Sequence, residues 1–219
     1  MNTDFQNSEK YLSRANQLFP QSGLILFQQG RLFAHRSGRY QTRAIDYLER
    51  SMQTYSTPET YHLLCILYLD KAYYSKARKM ADTLLLIDPN REEVNYLAGN
   101  VALKLHKYEE AVEYLKEELR VNSSNTRALS LLGSIYKDHY KQLDIAAATY
   151  ETLLKIEPRS IDTHESLADV LVELGESDGA RHHYTIALEG ANALSRLQWI
   201  KRLEMKLDRL NDAVDELKE

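Results

Sequence analysis

Four prolines, eight glycines and one cysteine in 219 residues are the scarce residues of this chain. So few helix breakers leave long uninterrupted stretches, which exclude a turn-rich all-β chain and favour helix. A single cysteine excludes a disulfide framework. Cys65, beside Leu64, reads as a small core residue rather than a reactive thiol, and a reducing, cytoplasmic location is expected. No apolar run approaches the ~20 residues of a membrane-spanning helix, so no membrane insertion is expected. The formal net charge is -4 and no basic stripe offsets it. Nucleic acid and anionic lipid are therefore not expected partners.

Catalytic and metal-binding patterns are also missing. The seven histidines are His35, His62, His106, His139, His164, His182 and His183. None makes a His-Glu-x-x-His pair or joins a Cys-His set. His182 and His183 are adjacent and point about 100° apart on a helix, which does not chelate one ion in the usual way. There is no phosphate-cradling glycine loop and no Gly-x-Ser-x-Gly elbow. The sequence reading therefore assigns no catalytic residue, no metal and no cofactor, and expects a chain that is not an enzyme.

What the sequence does contain is one pattern repeated. Residues 92–125 read as two amphipathic helices and a turn. Ala98, Gly99, Ala102, Ala111, Leu115 and Leu119 stand where antiparallel helices approach closely, and Tyr108 wedges the second helix. Glu109 and Glu110 place carboxylates in that helix's first turn, where the macrodipole favours them. This large-residue, Leu-Gly, Tyr, Ala, aromatic, Pro spacing resembles the tetratricopeptide repeat, a unit of about 34 residues.

The register extends in both directions. Residues 24–57 carry Phe27, Gly30, Ala34, Tyr40, Ala44 and Leu48, with one extra residue assigned to a turn at 41–43. Residues 58–91 carry Tyr61, Leu64, Cys65, Tyr68, Tyr74, Ala77, Ala81 and Pro89. Residues 126–160 repeat the pattern with an insertion around 139–144, and residues 161–193 follow, ending at Gly190 as an expected left-handed cap. Before them, a polar, frayed start leads into a lone helix at 8–19, stopped by Pro20. After them, residues 194–219 are expected to form a degenerate cap of helix, turn and helix, its last apolar place being Leu217. The expectation is one all-α domain, residues 1–219, with about five complete units. The resemblance implies a right-handed superhelical solenoid of antiparallel helix pairs.

The tyrosines at repeat places, among them Tyr68, Tyr136, Tyr150 and Tyr184, read as core. The resemblance further implies that the first helix of each unit lines a concave groove. On this chain the groove places include Ile66 and Leu69, then Tyr96, Asn100, Leu103 and Lys104, then Arg127 and Lys137. Asp162, Glu165, Asp169 and Glu173 follow as an acidic ridge, with Arg202 in the cap. Two readings of the ridge stay open: it attracts a basic segment, or Arg127, Lys137, Arg202 and Lys206 neutralise it. The lysine and asparagine clamp that co-chaperones use for acidic chain ends is not reproduced. Of its places only Asn100 matches, and Asp162 would repel such a ligand.

The leading expectation is a non-enzymatic interaction module holding a segment of a partner protein, basic segments included. The second is a self-associating scaffold for a larger complex or organelle coat, built through the N-terminal helix, whose Phe5, Tyr11 or Leu12 would meet another copy. The third is an accessory domain of an enzyme whose catalytic part lies elsewhere.

Overall fold

The computed structural model describes residues 2–36 and 38–216, and among these it contains helices and no strand. In chain order they are α1 (Asn2–Leu18), α2 (Gly23–Ala34), α3 (Arg39–Ser51), α4 (Pro58–Asp70), α5 (Tyr74–Ile87) and α6 (Val94–Lys104). Then come α7 (Tyr108–Val121), α8 (Thr126–Asp138), α9 (Leu143–Ile156), α10 (Ile161–Leu174), α11 (Ser177–Ala193) and α12 (Leu197–Glu216). The chain divides into two compact units, residues 1–111 and 112–219, with the boundary inside α7. Within the first, α2 packs on α3 and α4 on α5; within the second, α8 packs on α9 and α10 on α11.

Side-chain caps start three of the first helices. Thr57, Asn125 and Ser160 accept the amides of Thr60, Ala128 and Thr163, filling places the helix itself leaves open. Pro58 at the first helical position needs no partner for an N–H it lacks. Where a first helix ends, one left-handed residue reverses the chain: Ala72, His106 and Gly175 have φ of 58°, 58° and 81°. The next amide then bonds back five residues, Tyr73 to Tyr68, Lys107 to Ala102 and Glu176 to Leu171, closing the last free carbonyls.

Small residues set the pair spacing. Ala44, Ala77, Ala81, Ala146, Ala180 and Ala187 are fully buried. A Cβ on Gly30 would stand 2.5 Å from Leu48 Cγ, and one on Gly133 would stand 2.7 Å from the Tyr150 ring. Around these contacts Leu48, Leu64, Leu84 and Leu167 lose essentially all exposure, each burial contributing about 1.5–3 kcal/mol. Tyr68, Tyr136, Tyr150 and Tyr184 are buried as expected from their repeat places. Cys65 is buried too, and desolvation pushes its thiol up to about 12, which keeps it protonated and unreactive.

Four sequence expectations change. The start is helical from Asn2 rather than frayed to residue 7: no proline or glycine interrupts it, Asp4 sits in the first turn, and Phe5 is anchored against α2 and α3. Residues 41–43 lie inside α3, and the extra turn falls earlier, where Gly38 takes φ 71°. Gly190 is no cap. Helix α11 continues through it to Ala193, and Gly190 serves instead the close approach of Ile161, 3.0 Å from where its Cβ would be. From Leu197 there is one continuous helix instead of a helix, a turn and a helix, because nothing between Leu197 and Glu216 breaks it. Leu217 lies outside the described residues.

Candidate partner-binding faces

In the unit of residues 1–111, α4 and α6 are neighbours in limited contact. Ile66 and Leu69 on α4 and Tyr96, Asn100 and Leu103 on α6 are half-buried, with Lys104 exposed at the end of α6. Burial lifts the Tyr96 hydroxyl above its ordinary range, against the opposing effect of a hydrogen bond from Asn100. The Asn100 Oδ1 has no hydrogen-bond partner among the described residues. This face is therefore mainly apolar, with an amide and a phenol in it.

The unit of residues 112–219 has a different character. Asp162 and Glu173 on α10 are exposed, while Glu165 is buried and Asp169 half-buried. Glu165 accepts from Arg202 Nη2 at 2.5 Å and pairs with Lys206 Nζ at 2.8 Å, both on α12. Asp169 takes both its oxygens to Lys206, at 2.6 and 2.8 Å, and a third bond from the Tyr184 hydroxyl at 2.5 Å. Lys137 on α8 lies 3.6 Å from Asp169, and Lys141 lies 4.0 Å from Glu173. Such a network, with one carboxylate nearly sealed from water, is worth more than separate surface pairs.

Asp162 stands apart. Although the residue is exposed, partial desolvation of its carboxyl and then Glu165 raise it above the ordinary range, against the opposing pull of Arg202 and Arg196. Arg127 is exposed at the start of α8. The ridge that the repeat register lays out is thus real as a row on α10, but its two inner carboxylates are bonded to bases of α8 and α12.

Lys141 and the Tyr184 hydroxyl were not among the expected groove residues. Tyr184 reads as core and is core, yet its oxygen reaches the ridge; Lys141 sits in the inserted turn, where the repeat spacing assigns it no face. A signal was available for Gln29. With Gly30 set on Gly133, which shifts the 24–57 register by one residue, it stands where the other units have Leu64, Ala98, Leu132 and Leu167; it is 2% exposed, and its Oε1 has no partner among the described residues. Among the described residues no group of three or more His, Cys, Asp or Glu side chains is placed to hold a metal, and no helix is long and apolar enough to cross a membrane.

Residues 96–161 match the family model of the tetratricopeptide repeat. No curated protein sequence matches the chain. Among solved structures, MamA from Desulfovibrio magneticus RS-1 is similar at TM-score 0.66 and 24% identity, over 75% of this chain and 96% of that one. A thermophilic tetratricopeptide-repeat protein of Thermus thermophilus is similar at TM-score 0.65 and 21% identity, over 85% of this chain and 99% of that one. YrrB, described as a tetratricopeptide-repeat protein with an unusual peptide-binding site, is similar at TM-score 0.63 and 18% identity, over 82% and 91%. At these identities the likeness is one of fold. Residues 96–161 thus carry the tetratricopeptide-repeat match, and the chain shares the helical-repeat fold of these solved tetratricopeptide-repeat structures.

Proposed function

We propose that the chain is a non-catalytic protein-interaction module that holds an apolar, uncharged segment of a partner protein on the α4 and α6 face. The observation that carries this reading is the contrast between the two units. Ile66, Leu69, Tyr96 and Leu103 stay half-exposed around Asn100, which adds one amide to an otherwise apolar strip. Glu165 and Asp169 by contrast already have their cations, so a basic segment would have to displace Arg202 and Lys206. Helical repeats suit this task because successive first helices add contact strips along an extended ligand. The peptide-binding site named for YrrB supports the class of function.

The test is selection of peptides from a random displayed library with the whole chain. Enriched peptides should be apolar, should lose at least tenfold in affinity to a Leu69→Ser/Leu103→Ser variant, and should be indifferent to Glu165→Ser/Asp169→Ser. Enrichment of Lys/Arg-rich peptides that only the second variant loses would transfer the site to α10. A peptide ending Glu-Glu-Val-Asp is expected not to bind.

Self-association is kept as a second reading because Tyr11 and Leu18 of α1, and Phe19 just after it, are 70%, 66% and 63% exposed. Phe5, also expected to be available, is instead packed within the chain. Light scattering over a concentration series tests this: a monomer throughout removes it.

A further inference from the structure

We propose that α1 is an exchangeable helix: in a pair of chains, each copy's α1 occupies on the other the seat that it fills here on its own α2 and α3. This deepens the self-association reading and rests on it. The seat is specific. Phe5 lies edge-on to Phe33 and Tyr40, with ring centroids 5.8 Å away in each case, and the Arg36 guanidinium stands 3.7 Å from the centroid of the Phe5 ring. One turn on, Glu9 pairs with Arg43 of α3 at 3.3 Å.

The seat is also poorly filled. Aligning Pro20 with Pro89 places Ser8, Leu12 and Ala15 where α5 has Ala77, Ala81 and Leu84. The α5 residues have no exposure; Leu12 and Ala15 are half-buried and Ser8 is exposed. Beneath α1, two side-chain carbonyls lack donors among the described residues, Asn16 Oδ1 and Gln29 Oε1. Asn16 is eleven residues from Phe5, about three turns, and Gln29 is four residues from Phe33, about one turn. Since Phe5 and Phe33 touch, both amides fall on the faces where α1 and α2 meet. Buried polar atoms without partners weaken that interface, so α1 leaves it more readily than any helix with a filled seat.

The connection suits exchange. Residues 19–22 contain Pro20, which lacks an N–H and disfavours helix at Phe19, so α1 and α2 do not fuse into one rod. Every contact of the seat is the same whether α1 comes from its own chain or another, and Tyr11, Leu18 and Phe19, exposed in the single chain, are apolar surface that a second copy would be able to cover.

The test is the full chain carrying Glu9→Cys and Arg43→Cys, oxidised across a concentration series and run without reductant, beside light scattering. Both positions are partly exposed and Cys65 is buried, so the new pair alone reports. Exchange is expected to yield a covalent dimer whose fraction rises with concentration, absent from a Glu9→Cys control. Adding Gln29→Leu, which removes an orphaned oxygen, should slow its appearance several-fold. A dimer in solution whose cross-link stays within one chain would overturn exchange while leaving self-association standing; a monomer with an internal cross-link would overturn both.

Discussion

Ala72 and His106 hold left-handed backbone, φ 58° in both, at turns where Gly175 does the same without a Cβ. That conformation costs a non-glycine residue roughly 1–2 kcal/mol, part of which glycine returns as unfolded-state entropy. Ala72→Gly and His106→Gly are therefore expected to stabilise the chain by about 0.5–1 kcal/mol each, and Gly175→Ala to destabilise it comparably, read from urea midpoints at unchanged slope. His183 makes a second residue-scale case. The Nε2 of His164 donates to the Pro158 carbonyl at 3.1 Å, and the Nδ1 atoms of His164 and His183 share one hydrogen bond at 2.9 Å. Burial, and then the charges His164 and His182 would carry, lower His183 to about 4 from an ordinary 6.5. A base depressed in the folded state binds its proton first in the unfolded state. Its contribution is intact above pH 6.5 and drains away as pH falls from 6.5 toward 4. The melting temperature should fall across that window, and His183→Gln should flatten the fall. Glu110, held below its ordinary 4.5 by Arg78, loses its contribution only at the low end of this window and below it.

At the scale of elements, glycine sites separate two uses of the same residue. Gly133 is a contact glycine: a methyl there meets the Tyr150 ring at 2.7 and 2.8 Å, and the ring, itself buried, has little room to yield. Gly133→Ala should cost about 1–3 kcal/mol, whereas Gly38→Ala meets nothing within 4 Å and should cost only its positive-φ strain. Gln29→Leu is expected to stabilise by about 1–2 kcal/mol, replacing an orphaned amide with the residue type of Leu64 and Leu167. Gly30 and Gly133 were legible beforehand because the repeat dictates them: a hairpin needs a small residue facing Leu48 or Tyr150 whatever surrounds it. Gly190 was misread because a glycine near a helix end serves a cap or a close approach equally well, and only the position of Ile161 decides. The ion pairs were named as one of two readings of the ridge, but the choice between them was beyond reach. Glu165 and Arg202 are 37 residues apart, and whether they meet depends on how α12 lies across α10. Phe5 shows the same limit, since its partners Phe33 and Tyr40 come from two other helices.

At the scale of the whole molecule, repeat architecture makes stability a sum of local terms, each helix pair leaning only on its neighbours. The division into residues 1–111 and 112–219 gives that additivity a measurable form. A destabilising change should then raise amide exchange chiefly in its own unit, through partial opening, before it raises global unfolding. Gly133→Ala lies in the second unit and Gly30→Ala, where a methyl would stand 2.5 Å from Leu48 Cγ, lies in the first. Measured by mass spectrometry at low denaturant, Gly133→Ala is expected to speed exchange in α8 and α9, with smaller increases in α10 and α11. Exchange in α2 and α3 should stay as it was. Gly30→Ala should do the reverse, and because α1 rests on α2 it should loosen α1 as well. Uniform acceleration along the chain by either variant would mean that the helix pairs unfold as one cooperative body, and the local stability argued for each pair would have to be replaced by a global one.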